Sequence, residues 1–183
     1  MPKHDRSKKY DLIVIGAGAS GLFASILYKR RKPEARVLIL EKMDKPAKRL
    51  LATGNGRCNF LPLRDSKKAF HSSEETEAHA YLESVSFEEV EAYWADLGLE
   101  WTLLDNGYYP SSLRAETLVE ILLFWVKKLG IELRTDSELV DYEKTDKDFK
   151  FLILSKAEEK TTYISRQVLL TVGGQSQKAL GGS

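Results

Sequence analysis

The chain contains 183 residues, 43% of them hydrophobic and 30% charged, and its net charge is +1. This length suffices for a domain with a buried core, and the near-zero charge excludes a strong overall field that would attract nucleic acid or an anionic membrane. The longest apolar run, Ile121–Val126, is far shorter than the roughly 20 residues of a membrane span, and a single cysteine excludes an internal disulfide. We therefore expect a cytoplasmic protein without nucleic-acid or membrane partners.

The first predicted elements are a strand, a helix and a second strand. The unbroken apolar run Leu12–Ile15 predicts a strand that is buried on both faces. After a glycine-rich turn, apolar residues recur at helical spacing until Pro33 ends the helix. The sequence ARVLILEK then predicts the second strand. A unit of this kind forms parallel sheet with a right-handed crossover.

Two more helices are predicted in the middle of the chain. Ser86 and Glu89 form a candidate capping box for a helix that ends at Gly98. A further helix spans roughly residues 115–129 and carries apolar side chains along one side. We interpret the aromatic residues of both helices as core packing.

Short strands are predicted from Ile131 onward. They are IELRT, SELVDYEK, FKFLILS and TTYIS, followed by the apolar strand QVLLTVGG. The charged segment 141–150 is interpreted as a solvated hairpin tip. The expected fold class is α/β, with a Rossmann-like parallel sheet and a small antiparallel β-meander. We expect one domain over residues 1–183, made of a βαβ section (10–60), a helical section (84–130) and a meander with a return strand (131–172).

The turn between the first strand and helix carries a dinucleotide-binding fingerprint. Gly16, Gly18 and Gly21 form the pattern G-x-G-x-x-G, in which the glycines permit a tight turn, close approach of a pyrophosphate, and close packing of helix on strand. Glu41 ends the second strand, where its carboxylate can bind the hydroxyl groups of an adenosine ribose. A carboxylate there disfavours a 2′-phosphate, an effect that Lys42 softens slightly. FAD or NAD is therefore expected rather than NADP.

The segment LLATGNGRCN raises three alternatives: a metal site, a nucleophile or a loop around an anionic ligand. Cys58 has no neighbouring ligand, because His4, His71 and His79 are scattered, so a metal site is disfavoured. A catalytic thiolate lacks a nearby base, although Arg57 could lower its pKa. The composition of the segment suits a loop wrapped on an anionic, polar ligand. The residues that support this reading are Arg49, Thr53, Gly54, Asn55, Gly56, Arg57 and Asn59.

Four segments occur in the order and spacing of a known flavoprotein family. They are LIVIGAGASGLFASI, LILEKMDKPAKRLLATGNGRCN, NGYYPSSLRAETLV and QVLLTVGGQS. The chain resembles the BaiN-like, or HI0933-like, NAD(P)/FAD-dependent oxidoreductases, which include the aminoacetone oxidase family proteins. The resemblance covers nearly the whole chain from Tyr10 onward, and the segment T-G-x-G-R-C-N is its most specific part.

The resemblance implies FAD as the bound cofactor, with NAD(P)H as a candidate electron donor. It implies these pyrophosphate-binding residues: Gly16, Gly18, Ala19, Ser20 and Gly21. It implies that Glu41, with Lys42 beside it, lies at the ribose and that the backbone of Val140 contacts the adenine. It implies a pyrophosphate- and flavin-side loop made of Arg49, Thr53, Gly54, Asn55, Gly56, Arg57, Cys58 and Asn59. A second glycine turn would contain Thr171, Gly173 and Gly174.

The chain departs from the family pattern in three places. The family usually has A-T-G-G where this chain has Thr171-Val172-Gly173-Gly174, and an arginine is common where Tyr108 stands. The sequence also stops at Ser183, before the substrate domain of the family. We therefore expect the N-terminal, FAD-binding portion of an oxidoreductase, either a fragment or a truncated gene product, which self-associates through surface that the truncation exposes. The alternatives are a non-catalytic nucleotide-binding module and a fragment of an NAD-dependent dehydrogenase. The sequence assigns neither catalytic residues nor a substrate.

Overall fold

A computed structural model describes residues 8–63, 80, 84, 86–104 and 107–174 of the chain. The strands within these ranges are β1 (Lys8–Ile15), β2 (Val37–Leu40), β3 (Trp101–Leu104), β4 (Gly107–Pro110), β5 (Glu132–Arg134), β6 (Ser137–Lys144), β7 (Phe149–Ser155) and β8 (Lys160–Leu170). The helices are α1 (Ala19–Arg31), α2 (Lys48–Leu51), α3 (Phe87–Asp96) and α4 (Ala115–Lys128), with a 3₁₀ turn at Thr53–Gly56. The chain divides into two compact units, one formed by Met1–Leu50 with Leu122–Ser183 and the other by Leu51–Ile121.

The first unit contains a six-stranded mixed sheet in the order β5-β2-β1-β8-β7-β6. Strands β5, β2, β1 and β8 are parallel, whereas β7 pairs antiparallel with both β8 and β6. The predicted α/β fold with a parallel sheet and an antiparallel meander is confirmed. The two strands predicted at TTYIS and QVLLTVGG are wrong as separate elements, because β8 runs through both without a break.

Strand β8 is continuous because its two halves have different neighbours. Residues 160–165 pair with β7, and residues 163–170 pair with β1. The exposed Arg166 and Gln167 interrupt the apolar pattern where β7 ends its pairing, which is why the sequence suggested two separate strands. The same strand therefore joins the meander to the parallel sheet.

Both faces of the central strands are buried, as the apolar runs predicted. Helix α1 packs on β1 and β2, and its Leu22 and Ile26 are fully buried. A second hydrophobic cluster contains Tyr10, Ile13, Ile15, Leu38, Leu40, Phe151, Ile153 and Tyr163. Each aliphatic side chain that is fully removed from water contributes about 1.5–3 kcal/mol, so this two-sided core fixes the position of β1 and β2.

A polar network accompanies the second cluster and satisfies its two tyrosine hydroxyl groups. Tyr10 Oη donates to Glu132 Oε2 at 2.5 Å, and Arg134 Nη1 donates to Tyr163 Oη at 2.6 Å. Burial, together with the neighbouring Glu132 carboxylate, raises the pKa of Tyr10 above its ordinary value. The hydroxyl group therefore remains a neutral donor, and no polar atom of the network is left without a partner.

The second unit has its own aromatic core and one element that the sequence did not predict. Strands β3 and β4 form an antiparallel hairpin of four residues each, too short for an alternating pattern to stand out. Tyr108, on β4, is buried and lies edge-on to Phe60 at a centroid distance of 6.5 Å. Tyr108 is therefore a packing residue in this chain.

Two predicted helices are confirmed nearly to the residue. The Ser86 side chain accepts a hydrogen bond from Glu89 N–H, and Glu89 reaches back to Ser86 N–H, which completes the capping box of α3. Helix α4 buries Leu118, Leu122 and Val126. The part of the chain that is described contains no helix with the length and apolar character that a membrane crossing requires.

Candidate functional site

The turn between β1 and α1 is tight at its first glycine and open at its second. Gly16 has φ +103°, and a Cβ there would lie 2.5 Å from the carbonyl oxygen of Thr171, so only glycine fits. The Gly16 N–H donates to Leu40 O at 2.7 Å, which ties the turn to β2. A Cβ on Gly18 would have no atom within 4 Å. The backbone at Gly18 is therefore open to a ligand.

The amino terminus of α1 presents donors that no side chain caps. Gly18 is the N-cap residue, with no side-chain hydrogen bond and no acidic residue in the first helical turn. Ala19 and Ser20, which follow it, are exposed. The first N–H groups of a helix lack intrahelical partners and carry the positive end of the helix dipole. This terminus can therefore bind an anion such as a pyrophosphate.

Gly21 brings the helix close to the turn. A Cβ at this position would overlap the carbonyl oxygen of Gly16 and would lie 2.6 Å from Thr171 Oγ1. Ser25, one turn later, donates its hydroxyl hydrogen to Gly21 O at 2.6 Å. The close packing of helix and strand that the fingerprint predicted is present.

The Glu41 carboxylate lies against the glycine turn. Its Oε2 accepts a hydrogen bond from Ala17 N–H at 2.8 Å, and its Oε1 accepts one from Met43 N–H at 2.9 Å. Each oxygen retains a second lone pair for a ligand hydroxyl group. Lys42, the next residue, is exposed. Two backbone donors thus hold the carboxylate at the ends of β1 and β2.

The end of β8 forms the second glycine turn, Thr171–Gly174, and Thr171 fastens it to the first one. Thr171 N–H donates to Ile15 O at 2.8 Å. Its hydroxyl oxygen lies 3.0 Å from Ile15 O and 2.9 Å from Gly16 O, within donating distance of both. Gly173 then adopts φ +74°. The hydroxyl group at position 171 thus binds the backbone of the first glycine turn directly.

Arg49 contacts the second glycine turn. Its Nη2 donates to Gly174 O at 2.8 Å, and a Cβ on Gly173 would overlap its Nη1. Arg49 Nε is buried and has no hydrogen-bond partner in the described part of the chain. A buried donor without a partner is uncommon and calls for an explanation, such as a ligand or a functional constraint.

The segment from Thr53 to Asn59 belongs to the second compact unit. It contains three left-handed residues, Asn55 (φ 53°), Gly56 (φ 81°) and Cys58 (φ 60°). Phe60 N–H donates to Tyr108 O at 3.0 Å, and the Asn59 amide fills the space where a Cβ of Gly107 would lie. Strand β4 therefore holds the carboxyl end of this loop in a fixed, irregular backbone.

The geometry does not favour the alternative of a Cys58 nucleophile. The side chain is buried, and this burial raises the pKa of the Cys58 thiol, although a hydrogen bond with Thr53 acts in the opposite direction. A raised pKa keeps the thiol protonated and unreactive. No cluster of metal-ligating side chains occurs among the described residues, and His4, His71 and His79 lie outside them.

Val140 lies at an irregular point of β6. The register with β7 shifts between Leu139 and Asp141, so that Val140 is the extra residue of a bulge and is half exposed. The beginning of the same strand contacts the end of β2, since Ser137 N–H donates to Glu41 O at 2.9 Å. The predicted contact of Val140 with adenine stays a prediction.

The structure adds two residues, and a new role for a third, that the sequence did not identify. The N–H groups of Ala17 and Met43 orient Glu41, and the hydroxyl group of Thr171 fastens the two glycine turns together. Both roles depend on backbone geometry, so no residue pattern could signal them. Gly16, Gly18, Gly21, Glu41 and the second glycine turn meet at the carboxyl ends of the parallel strands.

An adenine dinucleotide fits this donor set. The open backbone at Gly18 and the uncapped helix terminus suit the pyrophosphate, and the oriented carboxylate suits the ribose hydroxyl groups. The buried, unpartnered Nε of Arg49 adds a cation at the same edge of the sheet. Each of these features suits a different part of the same ligand.

Comparison with known proteins relates this site to one family. A family model described as the HI0933-like protein Rossmann domain matches residues 10–183. The 3-dehydro-bile acid delta(4,6)-reductase of Clostridium scindens is 31% identical over 169 residues, which are 92% of this chain and 40% of that protein. The ribosomal RNA dihydrouridine synthase of Escherichia coli is 27% identical over 180 residues, which are 96% of this chain and 42% of that protein.

A solved structure supports the fold. The open conformation of a flavocytochrome c3 fumarate reductase matches with a TM-score of 0.66 at 15% identity, over 92% of this chain and 34% of that one. At this identity the likeness concerns the fold alone. The chain spans about two fifths of the length of the two curated relatives.

Proposed function

The chain belongs to the HI0933-like family, and from that premise we propose that it is the FAD-binding portion of a flavoprotein oxidoreductase. The observation that carries the proposal is the uncapped amino terminus of α1, which opens at Gly18 beside the oriented carboxylate of Glu41. When bound, FAD supplies hydride or electron-pair transfer, while the protein supplies binding and orientation.

The pyrophosphate would be held by backbone groups rather than by side chains. The N–H groups of Gly18, Ala19, Ser20 and Gly21 lie at the positive end of α1, where a doubly charged ligand gains both hydrogen bonds and dipole stabilisation. The tight turn at Gly16 brings this end of the helix to the edge of the sheet.

Glu41 would bind the ribose and select the cofactor. Its two oxygens are fixed by backbone donors on either side, so their remaining lone pairs can accept hydrogen bonds from the 2′- and 3′-hydroxyl groups. A phosphate on the 2′-oxygen would instead meet a carboxylate. We therefore propose that FAD, which carries no such phosphate, occupies the site.

Within the second unit, the Thr53–Asn59 loop is itself proposed to be a ligand-binding loop. It carries an exposed Arg57 and exposed side chains at Thr53, Asn55 and Asn59, together with an irregular backbone that presents main-chain groups. Such a loop can contact an anionic, polar ligand. The buried Cys58 would support the loop by packing and would not react.

We propose that the whole protein reduces carbon–carbon double bonds of a small molecule. The names of the two curated relatives describe such reductions, one of a bile acid at its delta(4,6) positions and one that yields dihydrouridine in ribosomal RNA. For this chain a small substrate is favoured over RNA because a net charge of +1 supplies no strong overall field that would attract a polyanion. A cytoplasmic location is consistent with its single cysteine.

The test is the absorbance spectrum of the purified chain before and after addition of FAD. We expect flavin bands that remain with the protein after gel filtration. A colourless chain that binds NAD instead would indicate a dehydrogenase fragment, and a chain that binds neither would indicate a module without this function.

A Ser20→Glu variant sharpens this test. A carboxylate in the first turn of α1 is favourable for the helix itself, yet it would lie within a few ångströms of the pyrophosphate. At an effective dielectric constant near 20, a like charge at about 4 Å costs roughly 4 kcal/mol. We therefore expect FAD affinity to fall at least about tenfold without loss of thermal stability. Thr161→Glu, which adds the same charge at an exposed position of β8, is the matched control.

A further inference from the structure

We propose that the segment Ala47–Arg49 is a brace that joins the two glycine turns and pre-orders the cofactor site, with Arg49 as a positioning residue. The proposal rests on the proposed function, because the site that the brace would order is the one assigned to FAD. It adds a role that the sequence did not suggest, since Arg49 was expected to line the pyrophosphate and flavin side of the cofactor.

The brace contacts each glycine turn once. Ala47 N–H donates to Ala17 O at 2.9 Å, within the first turn. Two residues later, Arg49 Nη2 donates to Gly174 O at 2.8 Å, within the second. The guanidinium group also packs against Gly173, where a Cβ would overlap Nη1. One short segment therefore contacts both loops, which are far apart in sequence, in addition to the direct link that Thr171 makes between them.

The residues at both ends of the brace have features that are unfavourable to the free energy of folding. A contribution to fold stability therefore does not explain them. Ala47 is buried and adopts φ +58°, a left-handed conformation that disfavours residues with a Cβ. Arg49 Nε is buried without a hydrogen-bond partner among the described residues, which leaves its desolvation uncompensated. Strain of this kind persists where the surrounding structure enforces it, and it is concentrated at functional sites.

The costs have a consequence for ligand binding. A chain that holds both turns in place before the cofactor arrives loses less conformational freedom when it binds. Removing the brace should therefore leave the fold intact and lower the affinity for the ligand. A residue that served the fold alone would lower stability and affinity together.

The experiment compares Arg49→Met with the wild-type chain. Methionine keeps an unbranched side chain of similar length, removes the hydrogen bond to Gly174 O and removes the unpartnered Nε. We expect a thermal midpoint of the FAD-free chain within about 2 °C of wild type, because the lost hydrogen bond and the relieved donor offset each other. We expect FAD affinity to fall about tenfold or more. Arg166→Met, at an exposed arginine outside the two turns, should change neither value.

A second measurement makes the inference independent of FAD. Amide hydrogen exchange of residues 171–174 in the FAD-free chain should become about tenfold faster in Arg49→Met, and Arg49→Lys should lie between the two. A wild-type chain that does not bind FAD would overturn the proposed function. The exchange test would still be valid, because it uses the FAD-free chain. Unchanged exchange, or unchanged FAD affinity in a wild-type chain that does bind FAD, would overturn the brace. A large parallel fall in thermal midpoint and affinity would assign Arg49 to the fold instead.

Discussion

At the scale of single residues, the hydroxyl group of Thr171 links the two glycine turns of this site. It lies within hydrogen-bond distance of two carbonyl oxygens, and its oxygen touches the position where Gly21 has no side chain. A methyl group in its place could not donate and would stand too close to both oxygens. The identity of residue 171 therefore controls the geometry of the first glycine turn.

We expect Thr171→Val to weaken FAD binding by about fivefold, equivalent to roughly 1 kcal/mol for one lost hydrogen bond. Thr171→Ser keeps the hydroxyl group and should bind FAD within about twofold of wild type. Titration of the FAD-free chain by flavin fluorescence gives both constants. Thr161→Val makes the same replacement at an exposed site of β8, outside the glycine turns, and should have no effect. Equal affinity of Thr171→Val and wild type would show that the hydroxyl group is dispensable.

The sequence predicted the residues whose roles depend on local geometry. Gly16, Gly18 and Gly21 follow a strand and open a helix, so their spacing alone indicates what each one does. The contact of Arg49 with Gly174 joins residues 125 positions apart and is made to a backbone oxygen. A donor–acceptor pair of this kind cannot be recognised in a single sequence, because any residue offers a carbonyl oxygen.

At the scale of secondary structure, helix α3 depends on its amino-terminal cap. The capping box between Ser86 and Glu89 satisfies two N–H groups that would otherwise lack partners. The helix is ten residues long, and only Trp94 is buried among its side chains. A short helix with so little buried surface relies more than most on its end groups.

We expect Ser86→Ala to destabilise the chain by about 1 kcal/mol, which corresponds to a decrease of roughly 2–4 °C in the thermal midpoint. Glu89→Gln retains both hydrogen bonds and should lower it by less than half as much. Ser111→Ala, at an exposed serine outside the helices, serves as the control. An Ser86→Ala midpoint equal to that of wild type would mean that α3 unfolds separately from the measured transition.

Elements with a strong local signal were predictable, and elements defined by pairing were not. The capping box and the apolar spacing of α4 identified their helices. The β3–β4 hairpin was missed because its strands have four residues and their burial comes from neighbours such as Phe60. The sequence did not predict that β8 is one continuous strand, because Arg166 and Gln167 are polar and the strand changes its partner at that point.

At the scale of the whole molecule, one edge of β8 has no neighbour in the described structure. Strand β7 pairs with β8 only up to Ser165, whereas β1 continues to Leu170 on the other side. Leu170 and Val172 are 64% and 43% exposed. An apolar strand edge of this kind is a template for pairing with another chain. We propose that the isolated chain self-associates there.

We expect the apparent mass in sedimentation or light-scattering experiments to rise with concentration. Leu170→Lys places a charge on the open edge and should shift the equilibrium toward monomer. Leu103→Lys, at an exposed leucine of the other unit that is 57% accessible, is the matched control. A monomer over a hundredfold range of concentration would contradict the proposal.

The order in which the strands are synthesised determines when the two glycine turns can come together. Strand β8 is synthesised about 150 residues after its partner β1. At roughly 5–20 residues per second, a nascent chain waits on the order of 10–30 s between the two. Throughout that interval the loop at Gly16 lacks Thr171 and Arg49 lacks Gly174. A cofactor site that needs both glycine turns therefore cannot be complete until β8 and the turn that follows it have emerged.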